Sequence, residues 1–202
     1  MTNFTYLALG DSYTIGEQAA FAENFPNQTI QLLRKTGFAF HAAEIIAKNA
    51  WTTDELSNAI DHSSTLTNYD IVSILIGVND QYRGKSTDGF KIEFEQLLHR
   101  AIQFAGNNPS RVFVLSIPDW GVTPFADGKD RKQIAIEVDA YNYICEAVAK
   151  ELQTNFINIT TSQREDGNKA DFLAPDGLHP SGKEYKKWAD KLTCAILKEL
   201  ST

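Results

Sequence analysis

Three short stretches of this 202-residue chain carry residue types that can do chemistry together. Gly10-Asp11-Ser12 lies near the start, Gly77-Val78-Asn79-Asp80 near the middle and Asp176-Gly177-Leu178-His179-Pro180 near the end. A serine hydroxyl is a poor nucleophile at neutral pH and needs an adjacent base. His179 is the candidate base for Ser12. Asp176, three residues before it, can accept a hydrogen bond from the far imidazole nitrogen, which selects the tautomer and stabilises the imidazolium. A tetrahedral oxyanion needs preorganised donors. The candidates are the backbone N–H of Ser12, a backbone N–H near Ala50 and the side-chain amide of Asn79. Such a set runs acyl transfer. Each stretch taken alone also reads as ordinary turn chemistry, so the inference rests on their joint placement.

That placement follows from the elements between them. Phe4–Leu9 is a β-rich run, and residues 24–35 read as a helix with Pro26 in its first turn and Gly37 as its stop. A strand is expected near the end of 38–47, and Thr52 or Thr53 can cap a short helix running to about Asp61. Residues 70–76 form the most apolar run, as suits a central parallel strand buried on both faces. Residues 88–105 carry Phe90, Phe94, Leu97, Leu98, Ala101, Ile102 and Ala105 at helical spacing. Residues 111–117 form a fourth strand, 127–152 a long helix and 156–159 a fifth strand. Ser181 and Glu184 form a capping-box pattern opening a last helix, with Tyr185, Trp188, Leu192 and Ile196 on one face.

Five strands alternating with helices predict a single domain over 1–202: a three-layer α/β/α sandwich around a five-stranded parallel sheet, flavodoxin-like. Ligands in such folds bind outside the carboxyl ends of the strands. The segments following the strands are where Gly10-Asp11-Ser12, Asn49-Ala50-Trp51-Thr52, Gly77-Val78-Asn79-Asp80, Pro118-Asp119-Trp120-Gly121 and the Asp176–Pro180 stretch fall. All the candidate residues therefore collect on one edge.

The three motif stretches, in this order and spanning nearly the whole chain, resemble the SGNH hydrolase superfamily, also called GDSL esterases/lipases. The resemblance implies strand order 2-1-3-4-5, a Ser12–His179–Asp176 triad, Ser12 and Asn79 as oxyanion-hole contributors, and no metal or organic cofactor. One block departs from the family pattern. Its usual glycine oxyanion donor is replaced by Ala50, which keeps the N–H but resists a positive φ, so a left-handed conformation there carries strain.

Trp51, Tyr82, Trp120 and Phe125 follow strands on the same edge and either line an acyl or alcohol pocket or anchor their loops. Arg83 reads as a solvated loop residue or as a contact for an anionic substrate group. His41 reads as a satisfied structural residue beside the second strand, and His62 lies at a polar helix end. His99 falls off the apolar stripe of its helix. None has ligand spacing to another His, Cys or acidic pair, so no metal site is expected. Cys145 and Cys194 read as reduced core thiols, too few for a disulfide framework.

A formal net charge of −7 argues against nucleic-acid and anionic-membrane partners. Apolar residues make up 43% of the chain, which excludes a disordered polyampholyte. No window is long and apolar enough for a membrane span, so no stable membrane insertion is expected. The N-terminus has neither a basic start nor a long apolar run, which makes cytoplasmic residence the expectation and the Asn-x-Thr matches at Asn3, Asn27 and Asn158 chance. The phosphate cradles of nucleotide-binding folds are missing from the sequence. The reading is a serine esterase acting on a small soluble or carbohydrate ester. A lysophospholipase or thioesterase, and a non-catalytic binding module on the same fold, stand as alternatives. Acyl specificity and oligomeric state are left open by the pattern.

Overall fold

A computed structural model describes residues 3–201. Five strands, β1 (Tyr6–Gly10), β2 (Glu44–Ala47), β3 (Ile71–Leu75), β4 (Val112–Leu115) and β5 (Asn155–Ile157), pair in parallel in the order β2-β1-β3-β4-β5. The helices are α1 (Ser12–Ile15), α2 (Phe25–Lys35), α3 (Thr53–Asp61), α4 (Val78–Tyr82), α5 (Thr87–Phe104), α6 (Arg131–Glu151), α7 (Thr160–Asp166) and α8 (Gly182–Leu200). Helix α2 packs against α8, while α5 packs against both α3 and α6. Crossovers in a parallel sheet are right-handed. The β1-to-β2 step runs one way along the sheet and the later steps run the other, so α2 and the α3–α5–α6 group cover opposite faces. The expected α/β sandwich and strand order are what the chain adopts.

The central strands β1 and β3 are buried along their whole length, as their apolar runs require. The edge strands β2 and β5 are mostly half-buried. Gly10 sits opposite both Ala47 and Leu75, so three strands end level and their following loops emerge side by side. Gly10 admits no side chain there: a Cβ would lie 2.1 Å from Thr14 Oγ1 and 2.3 Å from the Leu75 carbonyl. Gly77 adopts φ +125° against the Phe90 ring, a backbone state closed to most residues.

Several local expectations are corrected. The long helix begins at Arg131 rather than Asp127, because Asp130 caps it by accepting from the N–H groups of Lys132 and Gln133 at 3.1 Å each. The fifth strand closes at Ile157, before α7 begins at Thr160. Ser181 caps α8, but the reciprocal half of the box is not made. The Ser181 N–H donates to the Phe172 carbonyl, while the buried Glu184 carboxylate accepts from Ser162 Oγ and Trp188 Nε1 instead. A side-chain-to-N-cap bond forms at α3, where Thr52 N donates to Glu55 Oε2 at 2.9 Å. Cys145 is buried, whereas Cys194 is exposed on α8. His41 precedes β2 with its side chain in solvent.

Asp80 ties the segments beneath the loop edge together. Fully buried, it accepts from Thr53 N at 3.1 Å, from Thr53 Oγ1 at 2.7 Å and from the Lys85 ammonium at 3.0 Å. Lys85 also bonds Asp54 and Glu93. Removing the carboxylate orphans several donors at once. Asp80→Ala is expected to lower stability by about 2–4 kcal/mol in denaturant unfolding, and Asp80→Asn, which keeps an acceptor, by less.

Candidate active site

Helix α1 starts directly after β1, and its geometry exposes Ser12. The Asp11 side chain caps the helix by accepting from Tyr13 N at 2.9 Å, and the Asp11 carbonyl takes Thr14 N. The Ser12 N–H is left without an acceptor among the described residues. An open N–H at a helix start is a natural anion donor. The Ser12 hydroxyl lies 3.0 Å from His179 Nε2, and His179 Nδ1 lies 2.6 Å from Asp176 Oδ2.

The loop bearing the imidazole is braced from both ends. Asp176 Oδ1 accepts from the N–H groups of Leu178 and His179, each at 3.0 Å, and the His179 carbonyl accepts from Ala174 N. The Tyr13 ring lies against the imidazole with centroids 5.0 Å apart. Partial burial pushes the Asp176 carboxyl up. The hydrogen bonds from the His179 ring and the two backbone N–H groups outweigh it and hold the carboxyl below the ordinary range. An ionised Asp176 keeps the proton on Nδ1 and leaves Nε2 free to accept from Ser12.

The donors foreseen for an oxyanion are placed unequally. Asn79, at the first turn of α4, lines the cavity in front of Ser12. Its Nδ2 donates to the Trp51 carbonyl at 3.0 Å and meets Asp11 Oδ2 only at 3.5 Å, the outer limit of a hydrogen bond. Ala50 adopts φ +65°, the strained left-handed state, and its N–H has no acceptor among the described residues. Alanine in this region costs about 1 kcal/mol or more.

The cavity over Ser12 and His179 measures about 120 Å³ and is walled by Val78, Tyr82, Trp120, Phe125 and Leu178. The Trp120 ring is buried and pinned by its Nε1 donating to Gln81 Oε1 at 2.7 Å. Tyr82 meets it edge-on at 5.3 Å, and Phe125 stands 6.0 Å from it. The Phe125 N–H donates to the Gly177 carbonyl, so this wall is fastened to the loop carrying His179. Two corrections follow. Trp51 does not line the cavity; its side chain packs against the core and its carbonyl holds Asn79. Asn49, on the other side of the left-handed Ala50, lines the cavity in its place.

Asp54, Asp80 and Glu93 bring carboxylate oxygens within 4.8 Å of one another, but the Lys85 ammonium bonds all three. Asp11 differs in kind. Burial, with repulsion from Asp80, pushes its carboxyl up to about 8 despite the N–H of Tyr13. Among the described residues, no helix is long and apolar enough to cross a membrane.

The sequence profile of the GDSL-like Lipase/Acylhydrolase family matches residues 8–187. No curated protein sequence matches the chain. Among solved structures, a lipase/acylhydrolase from Enterococcus faecalis is similar at TM-score 0.75 and 18% identity, covering 96% of this chain and 95% of its own. The acetyl xylan esterase AlAXEase is similar at TM-score 0.75 and 15% identity, covering 95% and 99%. The psychrotrophic esterase EstA from Pseudoalteromonas sp. is similar at TM-score 0.70 and 15% identity, covering 99% and 100%. At these identities the likeness is one of fold.

Two stability measurements test this description. Ala50→Gly removes the left-handed penalty and is expected to raise stability by about 1 kcal/mol in denaturant unfolding. Asp11 binds its proton more tightly folded than unfolded. Its contribution is full below pH 3.8 and is lost as pH rises towards about 8. Asp11→Asn is therefore expected to gain stability relative to the wild type progressively across that interval. Asp176 acts in the opposite sense: its contribution is present above the unfolded carboxylate pKa and is lost as acid protonates it.

Proposed function

The chain belongs to the GDSL-like Lipase/Acylhydrolase family, a family of ester hydrolases, and on that footing we propose that it is a serine esterase cleaving short-acyl esters of small-molecule alcohols. The carrying observation is the unbroken relay from Ser12 Oγ through His179 to Asp176, with contacts of 3.0 and 2.6 Å, on the floor of an apolar cavity. Ser12 attacks the ester carbonyl as His179 Nε2 takes its proton, and the oxyanion is met by the Ser12 N–H, the Asn79 amide and the Ala50 N–H. The tetrahedral species collapses as His179 returns the proton to the departing alcohol. Water, deprotonated by His179, then attacks the acyl-serine and the steps reverse.

The short-acyl reading rests on size. A cavity of about 120 Å³ falls well below the roughly 300–1,000 Å³ of drug-sized ligand sites. The half-exposed faces of Tyr82 and Phe125 at its rim offer an apolar shelf for the alcohol. A sugar ring, with its C–H faces, suits such a shelf, and the similar AlAXEase is named for acetyl xylan.

Ser12→Ala is expected to abolish hydrolysis of p-nitrophenyl acetate, and a fluorophosphonate is expected to label Ser12 in the wild type alone. Across a p-nitrophenyl acyl series, rates should be highest at two to four carbons. Rates that climb to long chains would return the acyl-chain reading. An unlabelled, inactive wild type would return the binding-module reading, and full activity in Ser12→Ala would overturn the assignment.

A further inference from the structure

Ala50 stands on an exposed loop in a conformation alanine disfavours, and two side chains, one in α4 and one at its C-terminal cap, grip that loop. Arg83 Nη2 donates to the Ala50 carbonyl at 2.6 Å, and Asn79 Nδ2 donates to the next carbonyl, that of Trp51, at 3.0 Å. Asn79 and Arg83 are four residues apart, hence on one face of adjacent helical turns, and the Arg83 N–H donates to the Asn79 carbonyl. The guanidinium is itself oriented by Glu55, whose Oε2 accepts from Arg83 Nη1 at 3.2 Å and from Thr52 N at 2.9 Å. Successive carbonyls of one loop are thus held by successive turns of one helix.

The Ala50 carbonyl and the Ala50 N–H are separated only by that residue's own two torsions. Holding the carbonyl, together with the left-handed φ, sets where the N–H points. A glycine would reach the same state without strain; an alanine needs an external hold. A hydrogen bond from a charged donor is about twice as strong as a neutral one. The half-exposed ion pair to Glu55 contributes little to global stability by itself. The arrangement therefore bears on local geometry more than on folding.

We propose that Arg83 is a positioning residue that clamps the Ala50 carbonyl and so aims the Ala50 N–H at the developing oxyanion of the esterase reaction. This rests on the esterase reading above and adds a function for a residue that sequence alone assigns to solvent or to an anionic substrate. The clamp acts on the transition state and not on the ground-state ester. Its loss should reduce kcat and leave KM in place.

The test compares wild type, Arg83→Ala, Arg83→Lys and Ser12→Ala on p-nitrophenyl acetate, with thermal melting of each. Arg83→Ala is expected to lower kcat by about ten- to a hundredfold, short of or equal to the loss of a whole oxyanion donor. KM should stay within about twofold, the melting temperature should stay near that of the wild type, and fluorophosphonate labelling of Ser12 should slow in parallel with kcat. Arg83→Lys, which returns one charged donor without the planar fork, should recover part of the loss. An unchanged kcat in Arg83→Ala beside an inactive Ser12→Ala would overturn the clamp and leave the esterase reading standing. A raised KM at constant kcat would overturn it in favour of direct substrate contact. Activity persisting in Ser12→Ala would remove the esterase reading itself. Should Arg83→Ala fail to fold, Arg83→Gln, which keeps part of the stem but carries a shorter, neutral donor, gives the same comparison.

Discussion

A single hydrogen bond of 3.0 Å joins Ser12 to His179 across 167 residues of chain, and the rest of the fold is arranged around keeping that distance. A displacement of about 1 Å at a reacting pair can cost a hundredfold in rate. The sheet supplies the coarse placement: β1, β2 and β3 end level, so the Ser12 and Ala50 loops and the Asn79 turn emerge at one edge. The fine placement comes from side chains and short backbone ties. The Tyr13 ring backs the imidazole, Asp176 holds both its ring and its backbone N–H, and the Phe125–Gly177 bond fastens the aromatic wall to the same loop.

Three aspartates near this edge behave differently, although each follows a motif glycine or precedes the histidine. Asp176 is only partly buried and receives three hydrogen-bond donors, so its charge is favoured. Asp11 is fully buried with one close N–H donor and a distant amide, so its charge is opposed. The Asn79 amide meets it only at 3.5 Å, the outer limit of a hydrogen bond. Asp80 is equally buried but faces the Lys85 ammonium and the Thr53 donors, and it works as a strut between α3 and α4. For Asp11 and Asp176, burial is weighed against the donors that reach each carboxylate, and that balance sets the direction.

The aromatic wall shows how a loop becomes a binding surface. Asp119 caps the turn after β4 by accepting from Gly121 N, and the Arg164 guanidinium of α7 holds its other oxygen at 2.8 Å. Gln81 fixes the Trp120 ring. Tyr82 and Phe125 rest against that fixed ring and stay half-exposed. An apolar site with few polar groups follows from that packing.

Much of this was legible before any coordinates. The apolar run at 71–75, the alternation of strand and helix patterns and the stripes at Phe90–Ala101 and Ile134–Val148 lead to the parallel sheet, because burial on both faces and helical periodicity are local properties of the chain. Ser12, Asn79, Asp176 and His179 were legible for a related reason: each follows a strand or precedes a helix, where this class of fold presents its ligand edge. That a left-handed conformation at Ala50 would carry strain was also legible; that the loop adopts one is shown by its φ of +65°. What the residues alone could not decide is which side chains meet once the loops are folded. That Asn49 faces the cavity and Trp51 the core depends on the turn between them. That Glu184 serves Ser162 and Trp188 rather than its own helix start depends on α7 lying alongside α8, and that Arg83 reaches the Ala50 carbonyl depends on α4 lying against the loop after β2. Most of these contacts join residues distant in sequence, and their partners are chosen by packing geometry, which no local pattern encodes.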